Sequence, residues 1–238
     1  MKIVEKKDNK LVFRAEMSES LANSIRRYTF EVPVVAIDEA EISKNDSALY
    51  DETIAHRLGL IPLVMPKAVA KSREFNIKLN SKKEGFVFSE ELIGDLKPAF
   101  NKIPITALDN GQEISLKATA RLGKGKEHSK FTPGLMIYRD IVYIKTEKNC
   151  PKEVTEVCPK NLIVEDNGKI KVTDSLACDA CGICVDTATK HDKDCIKIEP
   201  TNELLITIES FGQISPEDVF IKSIEELKSD LVEVSKKI

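Results

Sequence analysis

The chain of 238 residues contains no tryptophan, and aromatic residues make up only 5% of it. That scarcity leaves little from which to build a stacking platform for single-stranded nucleic acid. Positive charge is not in excess either: the formal net charge is −3. The chain therefore has no field with which to wrap a duplex, and no direct sequence-specific DNA contact is expected. No apolar run approaches the length that spans a bilayer, and the opening MKIVEKKDNK has no signal-peptide apolar region. The expectation is a cytoplasmic protein with no membrane partner. No repeat of solenoid period is visible.

What the chain does have is 42% hydrophobic and 32% charged residues, a globular balance. Its length suffices for one sizeable core or two small domains. The organising stretch runs from Ser18 to Leu63. Ser18 is placed to cap a helix on which Leu21, Ile25, Tyr28 and Val32 form an apolar stripe. Pro33 cannot donate to the helical ladder and ends it. Val34 to Ile42 is β-branched and apolar and reads as a strand, followed by turn chemistry at Asn45-Asp46-Ser47. A second helix begins near Asp51 and stops at Gly59, with Pro62 just beyond.

Residues 1–17 read as a hairpin around Asp8-Asn9. Residues 46–146 read mostly as strands, with Phe75, Ile77 and Leu79 alternating with polar residues, a turn at 109–112, and Ile114, Leu116, Ala118, Ala120 and Leu122 sharing one face of a long strand. Met136 to Ile144 makes a further strand. The basic loop at 123–130 lacks GxxxxGK[ST] and opens no apolar helix, so it reads as solvated rather than phosphate-binding. His56 and His128 stand alone and read as surface or structural residues. Leu204 to Ile208 is a strand, and Ser215-Pro216-Glu217 starts a helix. Along that helix Phe220, Ile224, Leu227, Leu231 and Val234 trace a narrow seam suited to packing on another helix. Val219 and Ile221 lie off the seam and are expected to leave apolar surface for a second contact.

Six cysteines in such a chain point to metal or redox chemistry. Cys178, Cys181 and Cys184 form C-x2-C-x2-C, a spacing that favours an iron–sulfur cluster over zinc. Cys158-Pro159 supplies a fourth thiolate next to proline, across a hairpin built on Leu162–Val164, a turn at 166–168, and Ile170–Val172. In a ferredoxin pair of runs, the second cluster would need cysteines at Lys148, Pro151, Val154 and Ala188. None is there. Cys158, Cys178, Cys181 and Cys184 thus make one complete ligand set for a [4Fe–4S] or [3Fe–4S] cluster, in a module that has lost its twin. Cys150 and Cys195 fit neither register; they either pair or stay free.

LANSIRRYTFEVPVVAID followed by AHRLGLIPL resembles the assembly segment of archaeal RNA polymerase D subunits. That family includes the bacterial polymerase α amino-terminal domain and the eukaryotic third-largest subunits. ARLGKGKEHSKFTPG and ESFGQISPEDVFIKSIEEL resemble it too, and many archaeal members carry the Cys158 to Cys184 pattern. The resemblance implies an α+β fold: a discontinuous dimerisation domain from residues 1–45 and 202–238, a β-rich insert at 46–146, and a ferredoxin-like iron–sulfur module at 147–201. It implies a heterodimer with subunit L, which with subunits N and P forms a platform for the large catalytic subunits. Leu21, Ile25, Tyr28 and Val32, with Phe220, Ile224, Leu227, Leu231 and Val234, would face subunit L. Arg26 and Arg27 are candidates for contacts to a large subunit, since guanidinium forks suit interface carboxylates. The chain has no DxDxD-like run to hold two magnesium ions, so no catalytic residue is expected in it. The alternative is a ferredoxin-like electron-transfer or redox-sensing protein, resting on residues 150–200.

Overall fold

The computed structural model describes residues 1–66, 74–147, 150–166, 169–191 and 195–237. Strands β1 (Lys2–Lys7) and β2 (Lys10–Glu16) form the expected hairpin. Helix α1 (Glu19–Tyr28) begins where the Ser18 hydroxyl accepts the Leu21 N–H at 3.3 Å, and a 3-10 turn over Thr29–Glu31 carries the chain to Pro33. Strand β3 (Val34–Asn45) follows, and Asn45 Oδ1 accepts the Ser47 N–H at 3.1 Å to make the turn into α2 (Asp51–Gly59). Then come β4 (Phe75–Ser81), β5 (Gly85–Phe88), β6 (Ile93–Gly94), β7 (Pro104–Leu108), β8 (Ile114–Gly123) and β9 (Gly134–Thr146). The cysteine-bearing region holds α3 (Glu153–Glu156), β10 (Ile163–Asp166), β11 (Lys169–Val172) and α4 (Ile183–Lys190). Strand β12 (Ile196–Ser210) and helix α5 (Pro216–Ser235) complete it.

The chain gathers into two compact units: one holds Met1–Glu5, Val12–Ala22 and Ile137–Thr207, the other Lys6–Leu11, Asn23–Met136 and the residues from Ile208 onward. In the second unit, β3, β8, β4 and β6 lie in that order among the described residues, and β5 pairs with β7. The antiparallel register of β3 on β8 runs from Val34 opposite Gly123 to Asn45 opposite Ile114. The alternation in β4 and β8 puts Phe75, Ile77, Leu79, Ile114, Leu116, Ala118 and Ala120 into one core, which Ile54 and Leu58 of α2 cover. Over the turn at 109–112, Gly111 takes φ +82, a conformation that glycine adopts without steric cost. Asp38 on β3 binds Arg121 at 2.6 Å and Lys130 at 2.5 Å, and both cations lie over the Phe131 ring. These contacts hold its carboxyl below the usual carboxylate range, the Lys130 hydrogen bond being the largest cause.

Strands β1, β2, β12 and β9 lie side by side in that order. Strand β12 starts eight residues earlier than Leu204, where the sequence pattern begins (204 − 196). Pro200 brings no N–H to that central strand, and the Thr201 hydroxyl instead donates to the Ile141 carbonyl at 2.7 Å. In the first unit β10 pairs antiparallel with β11, Ile163 opposite Val172 and Asp166 opposite Lys169. The turn residues Asn167 and Gly168 of that expected hairpin lie outside the described residues. Among the described residues no helix is long and apolar enough to cross a membrane.

Candidate functional site

The second unit presents an open apolar helix face. On α5 the row Val219, Ser223, Glu226 and Asp230, spaced four, three and four apart, is engaged by this chain. Val219 and Ser223 are fully buried, and the Ser223 hydroxyl donates to the Val219 carbonyl at 2.6 Å. Glu226 pairs with Lys124 at 2.9 Å, and Asp230 accepts from the Tyr28 phenol at 3.0 Å. That bond to Asp230 pushes the Tyr28 phenol up from its ordinary range, with burial adding to it. Ser215 caps the helix by accepting the Asp218 N–H at 3.1 Å, and Pro216 occupies the first turn.

The expected seam lies one row over. Ile224, Leu231 and Val234 are exposed, Leu231 by 61% and Val234 by 54%, while Phe220 and Leu227 are half-buried. Monomeric proteins seldom leave so continuous an apolar row in water. Two expectations need correction. Val219 is sealed in this chain's own core, because the covered row runs through it, so of the off-seam pair only Ile221 stays exposed. On α1 and its 3-10 turn, Ile25 and Val32 are also sealed, at 2% and 0% exposure, and cannot face a partner; Leu21 is exposed and Tyr28 half-buried. Arg27 is exposed and lines a groove with Tyr28, Phe30, Lys126 and Asp230, whereas Arg26 is turned back onto Asn23 Oδ1 at 2.9 Å.

The first unit brings the four predicted cysteines to one small cavity. Cys158, Cys178, Cys181 and Cys184 line it together with Ile144, Leu162, Ile163, Ile183 and Ile198. Its free volume is small, about 20 Å³. All four thiols are unbonded, and only Cys181 is exposed. The loop curls because Ala180 and Gly182 both take positive φ, 54° and 79°. For alanine that conformation is uncommon, a feature that clusters at ligand-gripping loops. The Leu162 and Ala180 N–H groups donate to the sulfurs of Cys158 and Cys178, each at 3.4 Å. Burial pushes the Cys184 thiol up. Among the described residues, no three His, Cys, Asp or Glu side chains are grouped to hold a single metal ion. Ligands of a cluster each bind their own iron and need not converge as tightly as those of one ion.

At the positions where a twin cluster would need ligands, Val154 and Ala188 are buried in apolar packing with Cys195, and Pro151 is buried too. Lys148 lies outside the described residues. Cys150 and Cys195, left open by the spacing, form a disulfide with Cα atoms 5.4 Å apart. Closing a separation of 45 residues is worth about 4 kcal/mol in the chain-entropy account. Sequence reasoning missed the isoleucine walls of the cavity, because strand alternation marks a residue as buried without saying what it is buried against.

Residues 14–231 match the family model of the RNA polymerase Rpb3/Rpb11 dimerisation domain, and the chain belongs to that family. It is 34% identical to DNA-directed RNA polymerase subunit Rpo3 of Archaeoglobus fulgidus, over 99% of this chain and 96% of that protein. Subunit Rpo3 of Thermococcus kodakarensis is 38% identical over 70% of each chain. DNA-directed RNA polymerase II subunit rpb3 of Dictyostelium discoideum is 28% identical over 98% of this chain and 93% of that one.

Proposed function

We infer that this chain is a non-catalytic assembly subunit of DNA-directed RNA polymerase, acting in DNA-templated transcription. One observation carries the reading: a chain of a dimerisation family leaves the Ile224, Leu231 and Val234 row of α5 open while covering the more polar row beside it. The occupant of that row is the smaller sister subunit L. The heterodimer, with subunits N and P, is the platform for the large catalytic subunits, and nucleotidyl transfer belongs to the assembled enzyme. Apolar area removed from water contributes about 25 cal/mol per Å², less the cost of ordering both partners. The dimerisation domain is drawn from residues 1–45 and 202–238, with the β-rich insert at 46–146. Arg27, exposed beside the groove, is the better of the two arginine candidates for a large-subunit contact. The protein works in the cytoplasm. Co-expression with subunit L, followed by sedimentation, tests this: a stable one-to-one complex is expected, and a chain that sediments alone refutes it.

Residues 147–201 are proposed as a ferredoxin-like module in which Cys158, Cys178, Cys181 and Cys184 hold one iron–sulfur cluster, [4Fe–4S] or [3Fe–4S]. The support is the shared cavity, the four unbonded thiols and the N–H groups aimed at two sulfurs. Bound there, the cluster would tie the Cys158 segment to the Cys178–Cys184 loop and could take up one electron. Its role is mainly that of a staple, since a metal that binds the folded form stabilises it. An electron-transfer or redox-sensing role is the second reading, favoured by the exposure of Cys181. Iron and sulfide analysis of anaerobically purified protein decides whether the cluster is present.

A further inference from the structure

Three consecutive carbonyls of the cysteine loop are held by cations. Arg139 on β9 donates to the carbonyls of Leu176 and Cys178, the latter at 2.7 Å. Lys160 donates to the Ala177 carbonyl at 3.0 Å and pairs with the Asp179 carboxylate at 2.6 Å. Lys160 stands two residues after Cys158, so it links the segment bearing one thiol to the loop bearing three. A planar peptide points its N–H opposite its carbonyl, so holding these carbonyls also sets the direction of the N–H groups that follow them.

Charge acts in the same direction. Arg139 spends its guanidinium hydrogen bonds on two neutral carbonyls and makes no ion pair among the described residues, so its positive charge stands beside the loop, offset only through space by the Asp179 carboxylate that Lys160 binds. A cluster bound by four thiolates is a net anion and gains further negative charge on reduction. A cation nearby favours both the loaded state and the reduced one. We propose that Arg139 and Lys160 are positioning residues for the cluster, presetting the Leu176–Asp179 backbone for ligation and raising the cluster's reduction potential. The proposal rests on the cluster reading above.

The test uses the full-length chain, co-expressed with subunit L, purified anaerobically and reconstituted with ferrous iron and sulfide. Iron and sulfide per chain, loss of visible absorbance under a chelator, and a one-electron dithionite titration are read for each variant. Arg139→Gln is expected to lose its cluster about tenfold faster, the scale of a lost charge-assisted hydrogen bond, and to titrate at a more negative midpoint. Arg139→Lys recovers the midpoint but not the retention, because an ammonium cannot fork to two carbonyls. Lys160→Gln shifts both in the same direction by less, since Asp179 already offsets that charge. If Arg139→Gln does not fold, the other two variants carry the test. Folded variants that retain and titrate the cluster like the wild type overturn the proposal and leave the cluster reading standing. A wild-type chain that takes up no iron overturns both.

Discussion

In α1 and its 3-10 turn, the row Ala22, Ile25, Thr29 and Val32 is sealed from solvent, whereas in α5 the sealed row is Val219 and Ser223 and the richer apolar row stays open. Both helices carry apolar residues at spacings of three and four. One uses them as core. The other packs on its own chain through the sealed Val219 and two carboxylates and keeps Ile224, Leu231 and Val234 outward. The periodicity of an amphipathic helix therefore says which faces differ, while the neighbouring element decides which face is covered. A chain that worked alone would have little reason to satisfy the polar row and expose the apolar one.

Three substitutions sharpen that contrast. Ile25→Ala removes a sealed side chain and should cost the chain about 2–5 kcal/mol in urea denaturation, without changing the partner affinity of the folded fraction. An Ile25→Ala chain of unchanged stability would mean that α1 is a docking face after all. Ser223→Leu forces extra volume under the covered row of α5 and should cost about 1–3 kcal/mol; if it stabilises the isolated chain, that row is not packed as described. The smallest effect belongs to the tie between the two helices. Asp230 favours the neutral Tyr28 phenol, so the folded pKa lies above the unfolded one. Its contribution is complete below about pH 10 and is lost as pH rises through the raised value. Tyr28→Phe should be slightly less stable than wild type near neutrality, and the gap should close in strong alkali. A gap that widens with pH contradicts the assignment.

Much of this was legible in the residues themselves. Ser18 and Ser215 cap the helices they precede, and Pro33 and Pro216 stand where their missing N–H groups do least harm. The strands of the insert followed from strict alternation, as in Phe75, Ile77 and Leu79. What stayed hidden depended on long-range neighbours. Strand β12 continues through Pro200 because the Thr201 hydroxyl supplies a donor, and no local pattern announces that. Ile25, Val32 and Val219 could be assigned to core or to interface only once the covering elements were known. The four cysteines of the cavity were grouped by spacing, but spacing could not pair Cys150 with Cys195, since pairing depends on how the chain between them folds.

The central claim is that the seam of α5 is built for another chain, and the affinity of the Ile224→Glu, Leu231→Glu double variant for subunit L measures it most directly. The account predicts a urea midpoint close to that of the wild-type chain, because both side chains face water, together with loss of the complex at concentrations where the wild type is fully paired. A double variant that still pairs normally, or one that no longer folds alone, would contradict it.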